Sequence, residues 1–318
     1  MTGEYRNPVS DGYFADPFVL PARGRYYAFG TGNGIDRQDL VGLVSDDLVT
    51  WRPSGPVLDP GSVPAGRTTH WAPEVIEHEG RYVLYYSAGV QDTGHGLRAA
   101  VSDDPAGPYR DTGADLTPHE PFAIDPSPFR DTDGTLYLFY CADRLEGDRV
   151  GTVILVDRLV SPTELAGDPR PVVTASSEWQ LYLRQRSMYG AVYDWYTCEG
   201  AFCVLREGRY WCLYSGGNWQ EDNYGVSVAW APTPLGPWTE VPTVLPLVIR
   251  TDPEHSVGPG HASVVTDAAG QDWLVYHAWD LDRTARRMCL DPLDWTPQGP
   301  VCRGPSHGPV PAPTVTRG

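Results

Sequence analysis

The sequence predicts an all-β fold, a five-bladed β-propeller with four-stranded blades around a central funnel, and three observations carry that expectation. The first is composition: 34 Gly and 31 Pro, 11% aromatic residues and no long Ala, Leu, Glu or Lys run describe many short strands joined by tight turns. The second is a set of five apolar strand patterns that each open on an acidic residue or a histidine. They are Ala15-Asp16-Pro17-Phe18-Val19, Ala72-Pro73-Glu74-Val75-Ile76, Ile124-Asp125-Pro126-Ser127-Pro128-Phe129, Cys198-Glu199-Gly200-Ala201-Phe202 and Gly260-His261-Ala262-Ser263-Val264. The third is an echo inside the intervals: Gly-Arg-Tyr recurs at Gly24, Gly80 and Gly208, and Val-Ser-Asp-Asp at Val44 and Val101.

Taken in order, each interval is long enough for four strands. The first module runs through residues 16–20, 24–29, 40–47 and 49–51, and the second through 74–76, 80–86, 96–104 and 107–109. The third gives 125–129, 134–140 and 151–156 before a long interval. The fourth gives 200–205, 208–214, 224–230 and 236–238, and the fifth 262–265, 271–277 and 287–295. Four-stranded units repeated radially close into a propeller, which limits exposed sheet edges. The expectation is one domain over residues 1–318, with blades starting near 16, 74, 125, 199 and 261 and a Pro-rich tail at 303–318. Ring closure falls either to residues 1–12 or to the tail from Pro305, as part of the last blade or as a cover, unless the tail is unstructured.

The first strand of each propeller blade lines the channel, so the five opening residues face one funnel. A charge at the mouth of an apolar strand is costly unless it reaches water, and convergence on a wet cavity resolves that cost. Asp16, Asp125 and Glu199 come from blades one, three and four and would therefore surround the axis. Hydrolysis of a glycosidic bond needs an acid on the departing oxygen and a base or nucleophile on the opposite face of the sugar. An isolated Asp-Pro more often caps a turn; three carboxylates at equivalent points of a repeat point to chemistry.

Charge and targeting signals narrow the partners. A net charge of -17 argues against nucleic acid or an anionic membrane, both of which need a basic face. No window approaches the roughly 20 apolar residues of a membrane span, and the start lacks the apolar core of a secretory signal. The expectation is a cytoplasmic protein, secreted if a signal has been removed. The six cysteines form no CxxC pair and no zinc spacing, and most read as small buried apolar residues; a Cys289–Cys302 disulfide stays open.

Together, Ala15-Asp16-Pro17-Phe18, Trp71-Ala72-Pro73-Glu74, Ile124-Asp125-Pro126-Ser127, Glu199-Gly200 followed by Tyr210 and Tyr214-Ser215-Gly216, and Gly258-Pro259-Gly260-His261 resemble glycoside hydrolase family 43 from about Asn7 to Trp295. The resemblance implies a five-bladed propeller that hydrolyses pentose-containing oligosaccharides or polysaccharides with inversion, needing no cofactor for the chemistry. It implies Asp16 as general base, Glu199 as general acid and Asp125 as the carboxylate that tunes the acid. A like charge near Glu199 would keep that acid protonated near neutrality. Glu74 is expected to give support or a sugar hydroxyl contact, Trp71 and Trp219 to stack on sugar, and Arg287 to reach the substrate. His261 is expected at the axis, where a structural calcium ion is one reading and hydrogen bonding to carboxylates the other. An α-L-arabinofuranosidase acting on chain ends is favoured, because no room follows residue 302 for the extra β-sandwich common among β-xylosidases. β-Xylosidase and endo-arabinanase are the alternatives within the family, and a non-catalytic glycan-binding propeller is the alternative outside it.

Overall fold

The computed structural model describes residues 3–34, 38–241 and 243–315 and contains no α-helix among them. Four strands make blade one: Ala15–Ala22, Arg25–Thr31, Leu40–Ser45 and Trp51–Pro53. Blade two is Thr69–His78, Arg81–Val90, Thr93–Ser102 and Arg110–Asp115, and blade five is Val257–Thr266, Asp272–Trp279, Arg286–Thr296 and Gly299–Cys302. Blade three is built on Ala123–Arg130, Leu136–Arg144 and Gly151–Ser161, with Arg170–Val173 outside; blade four is built on Ala191–Arg206, Arg209–Gly216 and Gly225–Ala231, with Thr239–Glu240 outside.

Each blade buries both faces, and period-2 alternation assigns successive residues to different neighbours. In Arg81–Val90, Tyr82, Leu84 and Tyr86 pack with Phe18, Phe29 and Val44 of blade one, whereas Val83 and Tyr85 pack with Leu138 and Tyr140 of blade three. Five such clusters fill the five blade–blade interfaces. The apolar runs that look featureless in the sequence are thus two-sided strands.

The long interval between Asp125 and Glu199 holds an addition to the plain repeat. The strand Leu181–Met188 pairs with the first half of Ala191–Arg206 as a hairpin, and the latter strand runs parallel to blade three at Gly151↔Tyr196 and Thr152↔Thr197. Blades three and four are therefore one continuous eleven-stranded sheet. Both proposed closing segments are used: Glu4–Tyr5 pairs with Val310–Pro311, and the N-terminal stretch runs beside Arg286–Thr296 through bonds such as Val9 N–H to Met288 O (2.8 Å). All six cysteines are free, including Cys289 and Cys302.

Candidate active site

Each innermost strand carries a bulge at one register position, where pairing with the second strand skips: after Ala15, Trp71, Ile124, Glu199 and Gly260. The residue that follows is left-handed in every blade: Asp16 (φ 52°), Ala72 (φ 45°), Asp125 (φ 57°), Gly200 (φ 58°) and His261 (φ 49°). A non-glycine residue there is strained, and the bulge re-aims its side chain. Glycine is required only in blade four, where a Cβ on residue 200 would meet the His261 ring at 3.0 Å.

The strained N–H groups are held by the neighbouring blade. Ala72 N–H donates to Thr31 Oγ1 (2.9 Å), Asp125 N–H to Ser87 Oγ (3.0 Å), His261 N–H to Ser215 Oγ (2.7 Å) and Asp16 N–H to His277 Nδ1 (3.0 Å). Thr31, Ser87, Cys141, Ser215 and His277 occupy one position, opposite the residue before the bulge. In the remaining joint Gly200 N–H reaches Asp125 Oδ2 (3.1 Å), close to the Cys141 thiol. Five linked bulges thus form a ring that fixes Asp16, Asp125 and His261 around the channel and Glu199 beside it.

This ring corrects the alignment of blade two. The equivalent of Asp16 there is Ala72, and Glu74 lies two residues deeper, level with Phe18, Ser127, Phe202 and Ser263. Its carboxyl bonds Ser127 while Oε2 is buried without a partner, so Glu74 belongs to the floor beneath the reactive groups. Burial, with Asp125 adding to it against the Ser127 hydrogen bond, pushes it well above the ordinary carboxyl range and so favours the protonated acid.

Asp16 has the opposite surroundings. Thr31 donates to its Oδ2 (2.6 Å), and Arg286 Nη1, His261 Nδ1 and His277 Nδ1 lie 3.3, 3.4 and 3.4 Å from its Oδ1. Burial alone would raise its pKa; His261, Arg286, His277 and the Thr31 hydroxyl outweigh burial and hold it at about 2. Burial and Arg286 push His277 well below the usual imidazole value, consistent with a bare Nδ1 accepting the Asp16 N–H.

Burial pushes Glu199 up to about 7, with the Asp16 charge adding to it, against the opposing pull of Tyr224 and Arg286. Tyr224 donates its hydroxyl to Glu199 Oε1 at 2.7 Å. Asp125 is raised well above the usual range by burial, then by Glu199 and Asp16. Near neutrality the site therefore holds one firmly ionised carboxylate, Asp16, and one carboxyl that can carry a proton, Glu199, with Asp125 beside them holding its proton more tightly than an ordinary carboxyl does. That set can draw a proton from water on one side and deliver one on another.

A scan against family models matches residues 5–301 to glycosyl hydrolases family 43. The chain belongs to this family. Among solved structures, a thermostable family-43 glycoside hydrolase is similar with a TM-score of 0.85 and 30% identity, covering 98% of this chain and 100% of that one. A β-D-galactofuranosidase of Aspergillus niger is 26% identical over 93% of this chain and 83% of its own length. An extracellular exo-α-(1→5)-L-arabinofuranosidase of Streptomyces avermitilis is 24% identical over 91% of this chain and 58% of its own length.

Aromatic and cationic side chains complete this family-43 site, and here the structure departs from the sequence expectation. Arg287 alternates away from the channel and pairs with Asp280 at 3.1 Å; the arginine beside Asp16 is Arg286. Strand periodicity through 286–296 separates the two and could have ranked them. The Arg286 guanidinium lies 4.3 Å from the Trp219 ring centroid, 5.5 Å from Tyr13 and 5.8 Å from Trp279, and its Nε donates to the Tyr13 hydroxyl (2.8 Å). Trp219 stacks on Trp279 (5.9 Å, 16°), so it stands one residue away from Asp16. Trp71 occupies in blade two the register position of Glu199 in blade four; its indole donates to Gln38 Oε1 (2.7 Å) and one face is covered by His95 at 3.7 Å. Tyr224, His277 and Thr31 were not singled out from sequence. A signal for the last two exists: toward their ends the second strands carry Gly30-Thr31, Tyr86-Ser87, Tyr140-Cys141, Tyr214-Ser215 and Tyr276-His277.

Proposed function

We propose that this family-43 glycosidase is an inverting, exo-acting α-L-arabinofuranosidase in which Asp16 is the general base, Glu199 the general acid and Asp125 the third carboxyl, which accepts the Gly200 N–H beside the acid and orients acid or sugar. The observation that carries the reading is the opposite displacement of two buried carboxyls, Asp16 down to about 2 and Glu199 up to about 7. A base must be charged and an acid protonated at the same pH, and only surroundings of opposite character achieve both. Water beside Asp16 attacks the anomeric carbon as Glu199 protonates the departing oxygen, and the free sugar leaves with inverted configuration.

Exo action is in keeping with recessed reactive groups: the side chains of Asp16, Asp125 and His261 are 11%, 7% and 10% exposed. The Streptomyces relative named for exo-arabinofuranosidase activity points the same way. A β-D-galactofuranosidase reading is favoured by the Aspergillus niger relative, since the two furanosides share ring configuration and differ by one exocyclic carbon. Family-43 chemistry needs no cofactor. A calcium ion beside His261 would be a structural addition: its Nδ1 faces Asp16 and Asp125, so the six to eight oxygens that calcium takes would come largely from water.

The test is a comparison of aryl α-L-arabinofuranoside, β-D-galactofuranoside and β-D-xyloside as substrates for wild type, Asp16→Ala and Glu199→Ala, with product anomers followed by proton NMR. The arabinofuranoside should give the highest kcat/KM and a product of inverted configuration. A higher kcat/KM on xyloside overturns the sugar assignment, retention overturns the mechanism, and inactivity on all three favours a binding module.

A further inference from the structure

A second group of ionisable side chains lies outside the funnel, where the chain enters and leaves blade five. Asp252 and His255 sit on the turn before Val257–Thr266, and His307 sits on the tail beyond Gly299–Cys302. His307 Nε2 is 3.0 Å from Asp252 Oδ2, His255 Nδ1 is 3.4 Å from Asp252 Oδ1, and one donor atom from each residue lies within 4.8 Å of the others. The two imidazoles stack at 3.6 Å and 15°.

We propose that Asp252, His255 and His307 form a site for a divalent ion of zinc type that fastens the C-terminal tail to the start of blade five. Two imidazoles and one carboxylate are a zinc donor set, and with one donor atom of each within 4.8 Å of the others, turning one imidazole out of the stack brings all three onto one ion. Partial exposure leaves the fourth position to water: the three side chains are 34%, 44% and 28% exposed in the order named.

The backbone on both sides of the site is fixed before any ion arrives. Asp252 and His255 are fixed by a tight turn, with His255 N–H to Asp252 O (3.0 Å), Ser256 N–H to Asp252 O (2.9 Å) and Glu254 N–H to Asp252 Oδ1 (3.0 Å). On the tail, Arg6 Nη1 donates to His307 O (3.1 Å) and Ser306 N–H to Asp291 Oδ2 (3.2 Å). Three residues further on, Val310 pairs with Tyr5 to close the ring. An ion here would therefore act on the same seam as that two-stranded closure, away from the catalytic carboxyls.

The experiment uses tag-free protein, stripped with EDTA and desalted, titrated with zinc chloride by calorimetry and melted with and without zinc. Wild type should bind one zinc per chain and gain several degrees in Tm. His255→Ala and His307→Gln should each weaken binding at least tenfold and lose the gain in Tm, whereas His261→Ala should bind as wild type does. The proposal is overturned if wild type binds no zinc at one per chain, if both variants bind it with unchanged affinity, or if His261→Ala is the variant that loses it. Should a variant melt early without zinc, wild-type stoichiometry and the His261→Ala result still decide.

Discussion

Asp16 and Glu74 are both buried acids on innermost strands of adjacent blades, yet they end in opposite charge states. Asp16 faces Arg286, His261, His277 and the Thr31 hydroxyl and is held at about 2. Glu74, one layer deeper, has the Ser127 hydroxyl, an unpartnered Oε2 and the neighbouring Asp125, and is pushed well up. Burial acts the same way on both. Partners decide the outcome, and the partners differ because one acid lies on the bulge ring and the other in the floor.

The largest effect should come from emptying the ring position. Asp16→Ala is expected to lower kcat by about 10³-fold or more on an aryl arabinofuranoside, the scale of a lost general base, measured under saturating substrate. Glu74→Gln should keep kcat within a few-fold of wild type, since the amide preserves a neutral group beside Ser127. Equal losses from the two substitutions would erase the distinction between ring and floor.

Next in size is Arg286. Arg286→Met removes a charge that lowers the Asp16 pKa and the wedge among Tyr13, Trp219 and Trp279, so kcat/KM should fall by roughly tenfold to a hundredfold. The acid limb of the pH profile should move to higher pH, and Arg286→Lys should recover part of the shift. Arg287→Met, on the opposite strand face with Asp280, should change neither limb.

Glu199 sets the alkaline limb. A general acid with a pKa of about 7 loses its proton as pH rises through that value, so wild-type kcat/KM should fall above about pH 7. Glu199→Gln should flatten that limb while lowering the rate, and least so on substrates with good leaving groups.

The smallest effect is on stability. Because Glu74 in the folded chain keeps its proton where the unfolded chain would release it, its contribution is full below the ordinary carboxyl pKa of about 4.3 and is lost as pH rises toward the folded value. Glu74→Gln should therefore raise Tm by a few degrees at pH 8 relative to wild type and by little at pH 4, checked by calorimetry. For Asp16 the sign is reversed: its contribution is present above the ordinary value and lost as pH falls toward 2.

Much of this architecture was legible because repetition writes the same physics five times. Gly-Arg-Tyr turns mark blades one, two and four, an acidic residue or histidine leading into an apolar run marks all five, and Asp16, Asp125 and His261 fall on the bulge ring as aligned. Blade two misled because its ring residue is Ala72, a small apolar residue that carries no visible charge, so the nearby Glu74 drew the alignment two residues along. Arg286 and Arg287 are adjacent, and only the strand phase tells which one meets Asp16. Tyr224 was hidden for a different reason: it precedes the strand Gly225–Ala231 and reaches Glu199 across the blade, a contact that no local pattern encodes. The hairpin from Leu181 onward interrupts the repeat and has no counterpart in the other blades among the described residues.

The central claim is that neighbours assign opposite charge states to carboxyls of one channel. Carbon-13 NMR titration of carboxyl-labelled protein, with Asp16→Asn, Glu74→Gln and Glu199→Gln to assign the resonances, measures those states directly. Asp16 should stay ionised until pH approaches about 2, Glu199 should titrate near 7, and Glu74 should keep its proton well above the ordinary carboxyl range. An Asp16 that takes up its proton at or above the pH where Glu199 does would contradict the account.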